Sequence, residues 1–239
     1  MSNAHDIIAW LVPTARGSPA DKATLLSANI SRTVSISSST RLLAKLSHLS
    51  TCPPQKAIQL CFSQRPRRAG RRFVLGSDAN SCDVLLPDMP GISAQHCSIG
   101  FDAESRLVLD DFSERGTQVW YDWECSGDQR DCSWVLSSRS RREFPGAVGR
   151  IAIDIQGVRF HVVLNDHFAH GEAYEASVAA FCAQPRWTGC LASWAVDPSL
   201  CTQPLIQHIF VKGHGGEPTG EMYLWDMSRP WEPMVRASA

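Results

Sequence analysis

Small hydroxyl, imidazole and guanidinium side chains recur in three short stretches between Arg72 and Tyr121. Gly76-Ser77 follows one apolar run, Ser93-Ala94-Gln95-His96 opens a second, and Ser113-Glu114-Arg115-Gly116-Thr117 opens a third. Hydroxyls and loop N–H groups donate to an oxyanion, and an arginine adds a planar, charge-assisted pair. If the flanking runs are neighbouring strands, the three loops meet at one end, and the assembly suits a phosphate on a peptide side chain. Ser93 and His96 also have the residue types of a nucleophile and a base. They lack a third orienting group at an obvious position, so no hydrolase is expected. Asp110-Asp111 is expected to hold loop N–H groups rather than act as an acid pair. His161, His167 and His170 have no carboxylate or cysteine to complete a ligand set, so neither a metal nor another cofactor is expected.

The elements that must position these loops are short and alternating. Residues 57–62, 73–75, 83–86, 96–101, 106–110, 117–121 and 132–136 read as strands separated by Gly, Pro, Ser and Asp. The clearest pair comes last. Ile151, Ile153 and Ile155 share one face, Val158, Phe160, Val162 and Leu164 share another, and Gln156-Gly157 between them supplies a two-residue hairpin turn. The pattern predicts an all-β sandwich of antiparallel strands over residues 57–164. Within it, Arg65–Arg72 is a basic stretch interrupted by Pro66 and Gly70 and without interleaved aromatics, expected as a solvated loop and not a nucleic-acid site.

Residues 1–56 are expected to be largely disordered. Ala28–Thr40 is rich in Ser and Thr with few large apolar side chains, and reads as a spacer or a phosphorylation-prone linker. Ile7–Val12 reads as a short strand or sticky segment, and Arg41–Leu46 as one or two amphipathic turns. Beyond Leu164 a helix is expected over Ala173–Cys182, with Tyr174, Val178 and Phe181 on one side, inside a 165–206 helix-and-linker segment. Residues 207–239 are expected as a glycine-rich hairpin, with strands at 207–212 and 221–225 around a loop holding Gly213, Gly215, Gly216 and Gly220, so that the part beyond Leu164 forms a short irregular α/β C-terminal extension.

The whole-chain figures narrow the function classes. The 239 residues are 44% hydrophobic, enough for one substantial core, and the formal net charge of -1 gives no global field for nucleic acid. No apolar run approaches the length of a membrane helix. The nine cysteines are odd in number and contain no CxxC pair, and Cys61 and Cys97 sit in strand patterns as buried thiols. Cytoplasm or nucleus is the expected compartment, and neither a nucleic acid nor a membrane is an expected partner.

On these residues the chain resembles the forkhead-associated (FHA) domain. That family's pattern is a strand ending in Gly-Arg, then Ser-x-x-His, then Asp-x-Ser followed shortly by Asn-Gly-Thr. Leu75-Gly76, Ser93-x-x-His96, Asp111-Phe112-Ser113 and Gly116-Thr117 match it, over a span of about Ala57 to Leu164. The resemblance implies a non-catalytic module that binds a phosphothreonine-containing protein or peptide. It implies phosphopeptide contacts at Ser77, Ser93, Arg115 and Thr117, and framework roles for Gly76, His96 and Gly116. Two positions depart from the pattern: Ser77 stands where the family has its phosphate-gripping Arg, and Arg115 where it has Asn. Arg and a hydroxyl are not interchangeable, so Arg115 is expected to restore part of the missing charge.

Gly76-Ser77-Asp78, Cys82-Asp83-Val84, Gly91-Ile92-Ser93 and His96-Cys97 are also similar to the N-terminal part of fungal FHA-containing serine/threonine kinases. Gly213-x-Gly215-Gly216-x-x-x-Gly220 looks like a kinase phosphate loop, which makes a truncated or diverged kinase relative the alternative reading. Trp225–Ala239 holds no Lys, His-Arg-Asp or Asp-Phe-Gly, so no catalysis is expected. A phosphate-independent scaffold is the other alternative, which Ser77 in place of the Arg makes open.

Overall fold

Apolar side chains spaced two apart along a strand fall on one face, and two such faces bury each other. The computed structural model describes residues 6–46, 54–67, 72–102, 105–122, 124–137, 150–165, 171–183, 205–206, 222–225 and 233–237. Its strands are β1 (Ile7–Pro13), β2 (Thr33–Ser35), β3 (Lys56–Cys61), β4 (Arg72–Gly76), β5 (Val84–Leu85), β6 (Cys97–Phe101), β7 (Leu107–Asp111) and β8 (Gln118–Tyr121). They continue as β9 (Glu124–Cys125), β10 (Ser133–Ser137), β11 (Ile151–Ile155), β12 (Val158–Leu164), β13 (Leu205–Ile206), β14 (Met222–Trp225) and β15 (Pro233–Ala237). The helices are α1 (Pro19–Ala23), α2 (Thr40–Leu46) and α3 (Gly171–Cys182).

One sheet has the antiparallel order β2-β3-β1-β12-β11-β8-β9, and the other the order β13-β10-β7-β6-β4-β5. In the second sheet only β4–β5 and β10–β13 pair in parallel. The expected all-β sandwich is therefore the observed architecture. Phe73, Leu75, Ile99, Leu109 and Trp134 of one sheet belong to the same buried cluster as Leu11, Ile58, Leu60, Ile153 and Phe160 of the other. The turn at Gln156-Gly157 has φ of +49° and +90°, the positive values a two-residue hairpin demands. Helix α3 sets Val178 and Phe181 against the core. Phe181 packs on Phe62, Phe73 and Phe101 with ring centroids 5.8–6.0 Å apart.

The N-terminal segment is the correction. Residues 6–46 are folded, and β1 lies inside the first sheet between β3 and β12. All seven of its residues are buried. Leu11 faces the main core, while Trp10 and Val12 face a second cluster with Ile36, Leu42 and Leu46 beneath α2. The reading of Ile7–Val12 as a short strand or sticky segment thus resolves to a strand; covered on both faces, and with a register shift between Ile7 and Ala9, it shows no alternation that would mark it as part of the core.

The Ser/Thr tract escapes a composition argument for a different reason: its hydroxyls are used locally. Ser39 Oγ accepts the Leu42 N–H, Ser38 Oγ–H donates to the Ser35 carbonyl, and the Thr33 hydroxyl donates to the Asn29 carbonyl at 2.9 Å. Two buried polar residues then tie the segment to the sandwich. Asn29 brackets β5, donating to the Leu85 carbonyl at 2.7 Å and accepting the Leu85 N–H at 2.8 Å. Arg32 lies over the Phe73 ring and 3.6 Å from the Asp83 carboxylate. Burial lowers the Arg32 pKa and raises that of Asp83, so each charge needs the other. The folded unit thus begins at β1 and not at residue 57.

At the C-terminal end β14 pairs with β15. The expected strand at 207–212 and the glycine-rich loop with Gly213, Gly215, Gly216 and Gly220 lie outside the described residues. No helix among the described residues is long and apolar enough to cross a membrane.

Removing residues 1–53 leaves β3 and β12 without the strand they share. We expect the truncated chain to lose the cooperative thermal transition followed by circular dichroism. In the full chain, Leu11→Ala should cost about 3 kcal/mol in urea denaturation. A cooperative melt from the truncated chain would show the N-terminal segment to be dispensable.

Candidate functional site

β4, β6 and β7 are adjacent in one sheet, and β8 lies in the other. The turn after β4, the loop before β6 and the crossing from β7 to β8 therefore meet at one end of the sandwich. Gly76 is where the first two touch. A Cβ there would lie 2.4 Å from the Ala94 carbonyl oxygen, so a side chain has no room. The contact is held by Ser77 N–H to the Ser93 carbonyl (3.2 Å) and Asp78 N–H to the Ala94 carbonyl (3.1 Å). The Ser77 hydroxyl turns to the same Ser93 carbonyl at 3.4 Å, so both its donors point to the neighbouring loop.

His96 staples the second loop to the third. It is fully buried. Its Nδ1 accepts the Ser93 N–H at 3.1 Å, which puts the ring proton on Nε2, 3.2 Å from the Gly116 carbonyl. Burial pushes the imidazole below its ordinary pKa, against the opposing pull of the Gly116 carbonyl and Asp111, so the neutral ring that this pairing needs is the favoured form. The Ser93 hydroxyl does not touch His96. It accepts the Glu114 N–H at 3.3 Å, which leaves no nucleophile–base pair here.

Asp111, also fully buried, organises the third loop. Its carboxylate accepts the hydroxyls of Ser113 (2.8 Å) and Thr117 (2.7 Å) and the backbone N–H groups of Ser113 and Asp131 (both 3.2 Å). Ser113 Oγ accepts the Gly116 N–H in turn, at 2.8 Å. Gly116 has φ +86°, and a Cβ there would meet the Gln129 carbonyl oxygen at 2.8 Å. Glycine is thus required twice over, by conformation and by the approach of a fourth loop, residues 126–132.

That fourth loop is sewn in place. Thr117 and Gln129 exchange backbone bonds of 3.0 and 3.2 Å. Gln156, from the β11–β12 turn, donates to the Gly116 carbonyl at 2.8 Å, to the Arg115 carbonyl at 3.3 Å and to the Asp128 carboxylate at 3.4 Å. Around this frame lies an exposed rim carrying Glu114, Arg115 and Arg130. Arg130 Nη1 is 3.5 Å from the Glu114 carbonyl.

The structure sorts the expected residues into two sets. Ser77 and Ser93 are hydrogen-bonded to each other, Ser93 Oγ meets the Glu114 N–H, and Arg115 is exposed at the next position. Gly76, His96 and Gly116 hold the frame. Thr117 is placed with the frame instead of the ligand contacts: it is fully buried, with its hydroxyl on Asp111. Gln129, Arg130 and Gln156 are the residues that sequence reading missed. Only Gln156 had a local signal, as the partner of Gly157 in a positive-φ turn. No group of three or more His, Cys, Asp or Glu able to hold a metal occurs among the described residues, and His167 and His170 lie outside them. Cys61, Cys82, Cys97 and Cys132 are buried free thiols, and burial raises the pKa of each, that of Cys61 and Cys132 to about 11.

Comparison with known proteins adds a family. The family model of the FHA domain matches residues 69–122, which takes in the turn after β4, the loop before β6 and the crossing from β7 to β8. No curated protein matches the chain. Among solved structures, the FHA domain of the CT664 protein from Chlamydia trachomatis is 21% identical, with 46% of this chain and 84% of that one covered and a TM-score of 0.28. The FHA1 domain of yeast Rad53 is 15% identical, with 73% and 85% covered and a TM-score of 0.36. The N-terminal FHA domain of Rad53p from S. cerevisiae, solved in complex with a phosphothreonine peptide, is 20% identical, with 41% and 70% covered and a TM-score of 0.28. TM-scores this low add no detail to the site.

Two outcomes follow from the buried frame. Asp111→Ala strands buried N–H donors and should cost about 3 kcal/mol or more in urea denaturation. His96, and His161, whose pKa burial, Arg150 and Arg159 also lower, take up protons in the unfolded chain before the folded one. Their contribution is full above the unfolded value of about 6.5 and is lost as pH falls below it towards the depressed values. Urea midpoints measured from about pH 7.5 down to about pH 5.5 should therefore fall. His161→Gln should flatten only its own share of that slope.

Proposed function

Residues 69–122 are an FHA domain, and from that premise we propose that the chain is a non-catalytic module that binds a phosphothreonine-containing segment of a partner protein. The observation that carries this reading is the Ser93 hydroxyl, which meets the Glu114 N–H at 3.3 Å, one residue before the exposed Arg115, above loops whose backbone is held by buried bonds. The hydroxyl of Ser93 accepts from Glu114 and has no acceptor of its own among the described residues, so its proton is available to a phosphate oxygen. Arg115 presents an exposed guanidinium on the adjacent residue pair. A phosphate carries close to two negative charges and three strong acceptor oxygens, which a hydroxyl and a guanidinium match.

Ser77 tempers the strength of the site. A hydroxyl already directed at the Ser93 carbonyl replaces a planar cation, and the strongest contact expected of the family is absent. The module is accordingly a weaker phosphate reader than one with the arginine.

Titration of a labelled degenerate peptide library centred on phosphothreonine, beside its unphosphorylated twin, tests the reading. Wild type should prefer the phosphorylated library. Arg115→Ala should reduce that preference by roughly tenfold, and Ser77→Arg should raise it by a similar factor. Equal affinity of the wild type for both libraries would sink the reading and make the domain a phosphate-independent scaffold.

A further inference from the structure

The loop at residues 126–132 lies outside the segment that the FHA family model matches, yet it forms part of the rim. Its placement is firm on both sides of Arg130. Gln129 is bound to Thr117 in both directions, at 3.0 and 3.2 Å, and packs so closely on Gly116 that no Cβ fits between them. Asp131, at φ +54°, donates its N–H to the buried Asp111 carboxylate at 3.2 Å. Between these two anchors the Arg130 side chain is exposed and reaches the carbonyl side of Glu114, with Nη1 at 3.5 Å. Among the described residues this is its one polar contact. Ser93 Oγ sits on the other side of Glu114, at its N–H, 3.3 Å away.

Ser93 and Arg130 therefore flank a single residue. Two contacts of these lengths, joined through the N and O of one residue, place Arg130 Nη1 within about 10 Å of Ser93 Oγ. A phosphate accepting one hydrogen bond from each spans at most about 8 Å between the two donor atoms. The arginine stem has the freedom to close the remainder. Glu114 carries its carboxylate on the same rim and opposes an arriving anion.

We propose that Arg130 is a phosphate-binding residue of this domain: with Ser93 it grips the phosphothreonine phosphate across Glu114, and supplies from the 126–132 loop the charge that position 77 lacks. The proposal rests on the phosphopeptide reading above. It differs from a structural role for Arg130, in which the contact with the Glu114 carbonyl would only steady the loop.

The test is the same pair of peptide libraries, phosphorylated and unphosphorylated, titrated by fluorescence anisotropy against Arg130→Gln, Arg130→Lys and Glu114→Gln in the full chain. Arg130→Gln should cut the preference for phosphate roughly tenfold and leave the affinity for the unphosphorylated library unchanged, with the melting temperature retained. Arg130→Lys should keep part of the preference, as a point charge does. Glu114→Gln should raise it a few-fold, to about 3-fold. A phosphate preference as strong in Arg130→Gln as in wild type overturns the proposal and leaves the module reading standing. Equal loss for both libraries assigns Arg130 a structural role and also overturns it. Absence of any preference in wild type removes both readings together. Should Arg130→Gln fail to fold, Glu114→Gln decides alone, and no gain in phosphate preference would overturn the proposal.

Discussion

The buried carboxylate of Asp111 is the constraint on which the site depends. Inside the sandwich it is fully buried, and a charge there is tolerable only while several donors surround it. The donors come from Ser113, Thr117 and Asp131, that is, from two different loops. Satisfying one charge thus fixes the course of both loops and the distance between them. His96 does the same job with a neutral ring, joining the Ser93 turn to Gly116. Each buried polar group acts in two loops at once, which is why the rim above them can be exposed and still hold its shape.

The same logic extends to the N-terminal segment. Asn29 and Arg32 reach from the N-terminal segment to β5 and Asp83, close to the turn that follows Gly76. Asp83 in turn accepts the Val74 N–H at 2.9 Å, within β4 itself. The segment that leads into the fold is therefore a brace for the strand that ends at the site. β1 completes the first sheet, and α2 covers the outer cluster around Trp10. A stable rim needs the whole of this support, because loops rigid enough to present a phosphate contact must be held by something that does not move.

The chemistry of the rim is a redistribution of charge. Position 77 offers a hydroxyl turned to the Ser93 carbonyl, and the exposed cations sit instead on Arg115 and Arg130, with Glu114 exposed beside them. Exposed charges interact weakly through solvent and salt, so placement within direct hydrogen-bonding reach of the ligand matters more than net charge. On the proposed reading, discrimination is by geometry: a phosphate would have to bridge a hydroxyl and a guanidinium that two separate loops present.

Much of this was legible in the amino-acid sequence, and for a definite reason. Alternating apolar residues such as Ile151, Ile153 and Ile155 announce their strand because the residues between them, Ala152 and Asp154, are small or polar although they too are buried. Gly76, His96 and Gly116 announce the loops because close approach and a bonded imidazole tolerate few substitutes. Asp111 was readable as a holder of loop N–H groups. What the sequence could not disclose depends on contacts between distant residues. β1 is buried on both faces and so carries no period; Asn29 and Arg32 sit in a polar tract whose partners lie 56 and 51 residues further along the chain. Thr117 looks like a ligand by position and becomes frame by burial. Arg130 has no local signal at all, because what places it is the pairing of Thr117 with Gln129 and the charge of Asp111. Local spacing determined the strands and the loop chemistry; long-range satisfaction of buried polar groups, which only the tertiary structure resolves, decided which of those side chains are buried in the frame and which stay exposed.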